Sequence, residues 1–292
     1  MRPGPSAQGM KDLWAGGAVA NKTGDRYTEN ESTNARESSG RHENPHAMTA
    51  EPQTTTVAGL PDRVVCILGM HRSGTSCLTG SLQQAGLFLG DCHTWNPFNL
   101  KGNRENQAFV DLHDEILAAN GGAWDRPPSR VRWQQRHFTR ARALLAEHAG
   151  RPAFGFKDPR TLLVLDGWKV VYPGIEFLGI FRHPNAVARS LANRSAMPRG
   201  EALSLWFCYN RILYREFRRR PFPILCFDDE QPVFERALNE VIGDLRIPRQ
   251  EASGDFYEEE LRTAGNTVDG PLPWRIQRLY NRLRRVAVRG EG

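Results

Sequence analysis

The sequence predicts an α/β protein of three layers, α/β/α, with a central parallel sheet. Short, almost wholly apolar runs alternate with amphipathic helical segments. Polar or glycine-rich loops follow the runs, and the 292 residues suffice for one such domain.

The elements follow in order. Val64 to Leu68 is apolar throughout, as a strand buried on both faces must be. Gly69 to Ser76 is a loop, and Ser76 to Ala85 a helix with Leu78 and Leu82 on one face and Gly86 as its stop. Asn106 to Asn120 is amphipathic, with Phe109, Leu112, His113, Ile116 and Leu117 sharing a face. Phe138 to His148 and Leu162 to Val171 are further helices. Between them Ala153-Phe-Gly-Phe156 leads into Lys157-Asp-Pro-Arg160. Glu176 to Phe181 is a second strand, ending at Arg182, and Ala186 to Arg194 is the helix after it. A long helix, Glu201 to Arg218, precedes a third strand, Ile224 to Phe227, and the helix Phe234 to Leu245. Trp274 to Val288 is basic and amphipathic: Ile276, Leu279, Leu283 and Val286 line one side, and arginines surround them.

Residues 1–60 are rich in Gly, Ser, Thr, Asn and Glu without sustained period, which predicts a disordered tail. Residues 61–250 form the predicted core domain, and 251–292 a C-terminal extension carrying the basic helix. No run approaches the roughly 18–20 apolar residues of a membrane span, and the N-terminus has no apolar signal region. The five cysteines are scattered and form no CxxC pair. That disfavours a disulfide framework or a zinc site, fits a reducing compartment, and predicts a cytoplasmic location. The formal net charge is 39 − 33 = +6, and the tail's own charges nearly cancel, so no nucleic-acid arm is expected. The basic C-terminal helix is the element that would touch an anionic membrane.

The strongest motif is Gly69 to Ser76, reading Gly-Met-His-Arg-Ser-Gly-Thr-Ser between a buried strand and a helix. Gly69 and Gly74 keep the interval of a P-loop, which turns backbone N–H groups toward an anion at a helix N-terminus. An ATP-type loop has Lys directly after the second glycine. Here Thr75 stands there, and the cation is Arg72, two residues before Gly74. No apolar strand ends in a Walker-B Asp, so a Mg²⁺–nucleotide site is not expected and no metal is assigned.

These residues resemble the phosphosulfate-binding loop of sulfotransferases that use 3′-phosphoadenosine 5′-phosphosulfate (PAPS), especially a bacterial branch with the same loop. The resemblance spans roughly residues 63–248 and implies a P-loop NTPase-like fold. It implies that Arg72, Ser73, Gly74, Thr75 and Ser76 hold the 5′-phosphosulfate, Arg72 also steadying the moving sulfuryl group. The family reads the 3′-phosphate with an Arg at a strand end and a Ser eight residues later, which match Arg182 and Ser190. Lys101-Gly-Asn-Arg-Glu105-Asn106 is similar to the family's Lys-Gly-aromatic-x-Glu-Asn, with Asn103 in place of the aromatic, and makes Glu105 the base. Asp91 and His93 compete for that role, and Glu105 also reads as a first-turn helix acid. Lys157-Asp158-Pro159 resembles the Lys-x-Pro element whose Lys faces the sulfuryl group. That Lys is one of only five in the chain.

The resemblance thus implies sulfuryl transfer from PAPS to a hydroxyl acceptor, a small molecule or carbohydrate, with Arg72, Glu105 and Lys157 catalytic and no metal. The family's C-terminal glycine-rich phosphate segment is missing. Arg275 and the arginines after it either close the 3′-phosphate site or form a solvated face. His71 supports the loop, and Trp95, Phe98, Trp124 and Trp133 either pack or stack on ligand. A P-loop kinase or NTPase, and a nucleotide-binding relative without catalysis, are the other readings.

Overall fold

The computed structural model of the chain describes residues 59–93, 102–247 and 270–290, all within the compact unit Glu51–Gly292. Residues 1–58, Trp95, Phe98, Lys101 and the stretch 248–269 lie outside the described residues.

Four parallel strands form the sheet, in the order β2-β1-β3-β4. They are β1 (Val64–Leu68), β2 (Phe154–Lys157), β3 (Glu176–Phe181) and β4 (Ile224–Cys226). The helices are α1 (Thr75–Gln84), α2 (Gln107–Ala119), α3 (Gln135–Ala146), α4 (Thr161–Val171), α5 (Pro184–Ser195), α6 (Arg199–Arg219), α7 (Gln231–Asp244) and α8 (Trp274–Val286). No described helix is long and apolar enough to cross a membrane.

The alternation of β1 builds two separate cores. Val64, Cys66 and Leu68 join Phe109, Phe156, Trp168 and Trp206 on one face. Val65 and Ile67 join Leu78, Leu82, Phe234 and Val241 on the other. The second face is covered by α1 and α7, and the first by α2 to α6 and α8. Successive strand residues point to opposite faces, so a wholly apolar run must be covered twice.

One strand departs from the sequence expectation. Residues 154–157 are β2, paired with β1 in the register Cys66↔Phe156 and Ile67↔Lys157. A four-residue run containing Gly155 and ending in a lysine carries little apolar signal. Its pairing is what makes it a strand.

Parallel direction decides where the chemistry gathers. Every strand's C-terminal end lies on the same edge of the sheet. The loop after β1, Lys157 at the end of β2, Arg182 after β3 and Asp228 after β4 therefore meet there, at the edge where open α/β sheets bind ligands.

Candidate functional site

The loop after β1 closes on steric demands. A Cβ on Gly69 would lie 2.6 Å from Thr75 Cγ2 and 2.7 Å from the Ile180 carbonyl oxygen. Gly74 has φ 86° and would drive a Cβ to 2.3 Å from the Phe227 ring. Arg72 also holds left-handed backbone, at φ 66°, as does Arg104 across the site, at φ 55°. Such conformations cost roughly 1–2 kcal/mol per non-glycine residue and cluster at functional sites.

Gly74 caps α1 without a side-chain hydrogen bond, so the leading N–H groups of the helix are left for a ligand. Ser73 is fully buried, and its hydroxyl has no hydrogen-bond partner. Thr75 is buried, and its carbonyl accepts from Thr79 Oγ1 at 2.7 Å. Ser76 donates to the Asn103 carbonyl at 3.1 Å, tying the loop to the segment before α2.

Arg72 Nε donates to Ser190 Oγ at 2.7 Å, joining the loop to the middle of α5. Burial, then the charges of Arg194 and Arg182, pull the Arg72 pKa below its ordinary value, and the group stays cationic. Three guanidinium groups therefore crowd one end of the sheet, an arrangement that favours a polyanion. Arg182, one of the three, is buried, 5.1 Å from the Phe227 ring centre and 3.6 Å from Asp228 Oδ1. Its carbonyl accepts from Trp206 Nε1 at 2.9 Å. Asp228 accepts from the His183 N–H; burial raises its carboxyl pKa, and Arg182 opposes the rise.

Lys157 and Glu105 form the other half. Lys157 Nζ lies 2.6 Å from Glu105 Oε1 and 3.5 Å from Ser76 Oγ. Their side chains are 1% and 14% exposed. Asn106, and not Glu105, caps α2, its side chain accepting from the Ala108 N–H at 2.9 Å. The first-turn role for Glu105 is thereby replaced by the lysine pair. Asp91 and His93 are exposed. The His93 backbone pairs with Glu105 and Arg104, at 2.9 and 3.0 Å.

A buried relay that local sequence does not reveal stands behind Lys157. Trp168 Nε1 donates to His113 Nε2 at 2.8 Å, so the proton of His113 sits on Nδ1, 2.6 Å from Asp158 Oδ2. Asp158 Oδ1 accepts from Arg160 NH1 at 2.9 Å and from its backbone N–H at 3.1 Å. Burial works to raise the Asp158 carboxyl, but the His113 hydrogen bond and the Arg160 charge outweigh it and hold the carboxyl well below its ordinary value. His71 packs against Trp124, ring centres 4.6 Å apart, and against Tyr209 at 6.1 Å. Burial, then the Arg160 charge, lowers its pKa to about 3, so it supports the loop as a neutral ring. Among the described residues no three His, Cys, Asp or Glu side chains gather as a metal site.

No family model matches the chain, and no curated protein is detectably similar to it in sequence. Among solved structures it is similar to the sulfotransferase domain from the Synechococcus PCC 7002 olefin synthase. That match has 18% identity and a TM-score of 0.51, and covers 77% of this chain and 95% of that domain. TT1252 from Thermus thermophilus matches at 16% identity and a TM-score of 0.35, over 64% of this chain and 98% of that one. A glycine loop between the first strand and helix of a parallel sheet, and the match to the olefin synthase domain, together define a sulfotransferase-like α/β fold.

Proposed function

We propose that the chain is a sulfotransferase moving a sulfuryl group from PAPS to the hydroxyl of a small-molecule or carbohydrate acceptor. The observation that carries this reading is the Arg72–Ser190 hydrogen bond, which joins the anion loop to a second cationic site around Arg182. Two linked anion sites suit a nucleotide with phosphate at both its 5′ and 3′ positions. The unpartnered Ser73 hydroxyl and the uncapped α1 fit the 5′ end, and Arg182 with Ser190 fits the 3′ end.

The donor, when bound, supplies an activated sulfuryl group and leaves as adenosine 3′,5′-bisphosphate. Glu105, 2.6 Å from Lys157 Nζ, takes the acceptor's hydroxyl proton as its oxygen attacks sulfur. Lys157 then offsets charge on the departing bridging oxygen, for which its compact ammonium is suited. Arg72 steadies the sulfuryl oxygens while its Nε stays on Ser190. Positioning and electrostatics carry the acceleration, as in phosphoryl transfer.

Calorimetric titration of adenosine 3′,5′-bisphosphate without metal tests this, with ADP and Mg·ATP as comparison ligands. Tight metal-free binding is expected, weakened by roughly 1.5–3 kcal/mol in Arg182→Ala because one charged phosphate contact is lost. Preference for Mg·ATP, or no binding, would overturn the assignment.

A further inference from the structure

Apart from Trp274 at its start, the C-terminal helix presents charge, not apolar surface, to solvent. Ile276, Leu279 and Leu283 of α8 are buried in the main core. The approach to the helix is fastened down: Asn185 Nδ2 donates to the Gly270 carbonyl at 3.1 Å, and Arg199 donates to the Pro271 carbonyl at 3.1 Å. Beyond the helix, the Val288 N–H donates to the Ile224 carbonyl at 2.9 Å, covering the free edge of β4. This helix has no apolar face left to insert into a bilayer.

Its outer face is a stripe of arginine. Arg275, Arg278, Arg282 and Arg285 are exposed and follow one another at three- and four-residue steps, so they share one side of the helix. The Arg282 guanidinium lies 5.9 Å from the Tyr214 ring centre on α6. Arg211 and Arg218, exposed three residues before and four after Tyr214, therefore extend the patch onto the neighbouring helix. α8 contains no acidic residue, and the single acid of α6 after Glu201 is Glu216, buried against Lys169 and Arg219. Trp274, at the start of the stripe, is 65% exposed.

We propose that this α6–α8 face docks the protein electrostatically on an anionic lipid surface, lying on the headgroups without inserting a helix. Charge complementarity selects an anionic partner. The exposed tryptophan selects a bilayer over a nucleic acid, because an indole beside arginines is the composition of a headgroup anchor. A face made of two side-by-side helices is also broad, as a planar surface requires. The binding is independent of the catalytic reading.

The experiment is co-sedimentation of the full chain with phosphatidylserine/phosphatidylcholine vesicles, against pure phosphatidylcholine and a 20-base-pair DNA duplex. Binding to the anionic vesicles alone is expected, lost between 0.1 and 0.5 M salt. Each arginine near the surface is worth about fivefold in partitioning, so Arg278→Gln/Arg282→Gln should weaken binding about 25-fold with the melting temperature unchanged. Trp274→Ala should weaken it further. No vesicle binding, binding that the double variant retains, or stronger binding to the duplex than to vesicles would overturn the proposal.

Discussion

Arg72 and Ser190 stand 118 positions apart in the chain, and the Arg72 Nε donates to the Ser190 hydroxyl at 2.7 Å. The bond makes a single unit of the loop after β1 and the helix after β3. Perturbing one partner should therefore be felt at the other. Ser190→Ala should weaken adenosine 3′,5′-bisphosphate binding by about 1 kcal/mol and leave ADP within twofold. A double-mutant cycle with Arg72→Ala, read by calorimetry, should show coupling of about 0.5–1.5 kcal/mol. Additive losses would mean the two groups act separately.

Gly74 is under two constraints at once. Its φ of 86° disfavours any side chain, and the Phe227 ring occupies the place of a Cβ. Gly74→Ala should cost about 2–4 kcal/mol of stability, combining left-handed strain with overpacking. Shrinking the ring in Gly74→Ala/Phe227→Leu should recover the overpacking part and leave the strain. Urea unfolding of the three proteins separates the two.

Stability should fall with acid in two steps. The His71 pKa is lowered to about 3, so between roughly pH 6.5 and that value the unfolded chain binds the extra proton and stability drops as pH falls. The slope for one such group is at most about 1.4 kcal/mol per pH unit. Asp158, held below its ordinary value, acts lower: its contribution is complete above about pH 4 and is lost as pH falls through its folded value. His71→Phe should make the fall of urea midpoints between pH 6 and 4 shallower and leave the lower step in place, the remaining slope coming in part from His137, His148 and His183, whose values burial also lowers. A wild-type profile flat over that range would refute the neutral, buried ring.

Breaking the relay behind Lys157 should be expensive. Asp158→Asn leaves His113 Nδ1–H and Arg160 facing a neutral amide in a fully buried place. A loss of about 3–5 kcal/mol is expected at pH 7, as for other buried pairs deprived of one charge. Thermal unfolding at pH 7 is the check.

Lys157→Ala should separate binding from chemistry. Lys157 bonds to Glu105 and Ser76, whereas Arg72 bonds to Ser190. Bisphosphate affinity should change less than about threefold. Release of bisphosphate from PAPS should slow about 10²–10³-fold, the usual effect of deleting one charge-stabilising donor. An equal loss in affinity would place Lys157 in binding and not in catalysis.

Local signals made much of this protein legible. The apolar run Val64–Leu68 and the strand–glycine loop–helix order located the loop between β1 and α1. The helical periods recovered the helices, and the face of α2 predicted at Phe109, Leu112, His113, Ile116 and Leu117 is the buried one. β2 escaped because four residues, one a glycine and one a lysine, carry too short a pattern; only pairing with β1 makes them a strand. His113 was legible as a face residue, but its Asp158 and Trp168 partners were not, since they arrive from β2 and α4. The counterion of Arg182 was equally hidden, because Asp228 reaches it from the end of another strand.

By itself the sequence determined what short-range sterics and periodicity determine: which glycines the loop needs, which faces are apolar, and where the hydroxyls and arginines stand along the chain. The tertiary structure decided which of them meet. Parallel register brought Lys157 to Glu105 and Arg72 to Ser190, distances no local pattern encodes. It also decided the fate of the last helix. An amphipathic pattern states only that one face must leave water, and here the core took that face, leaving Arg275, Arg278, Arg282 and Arg285 outside.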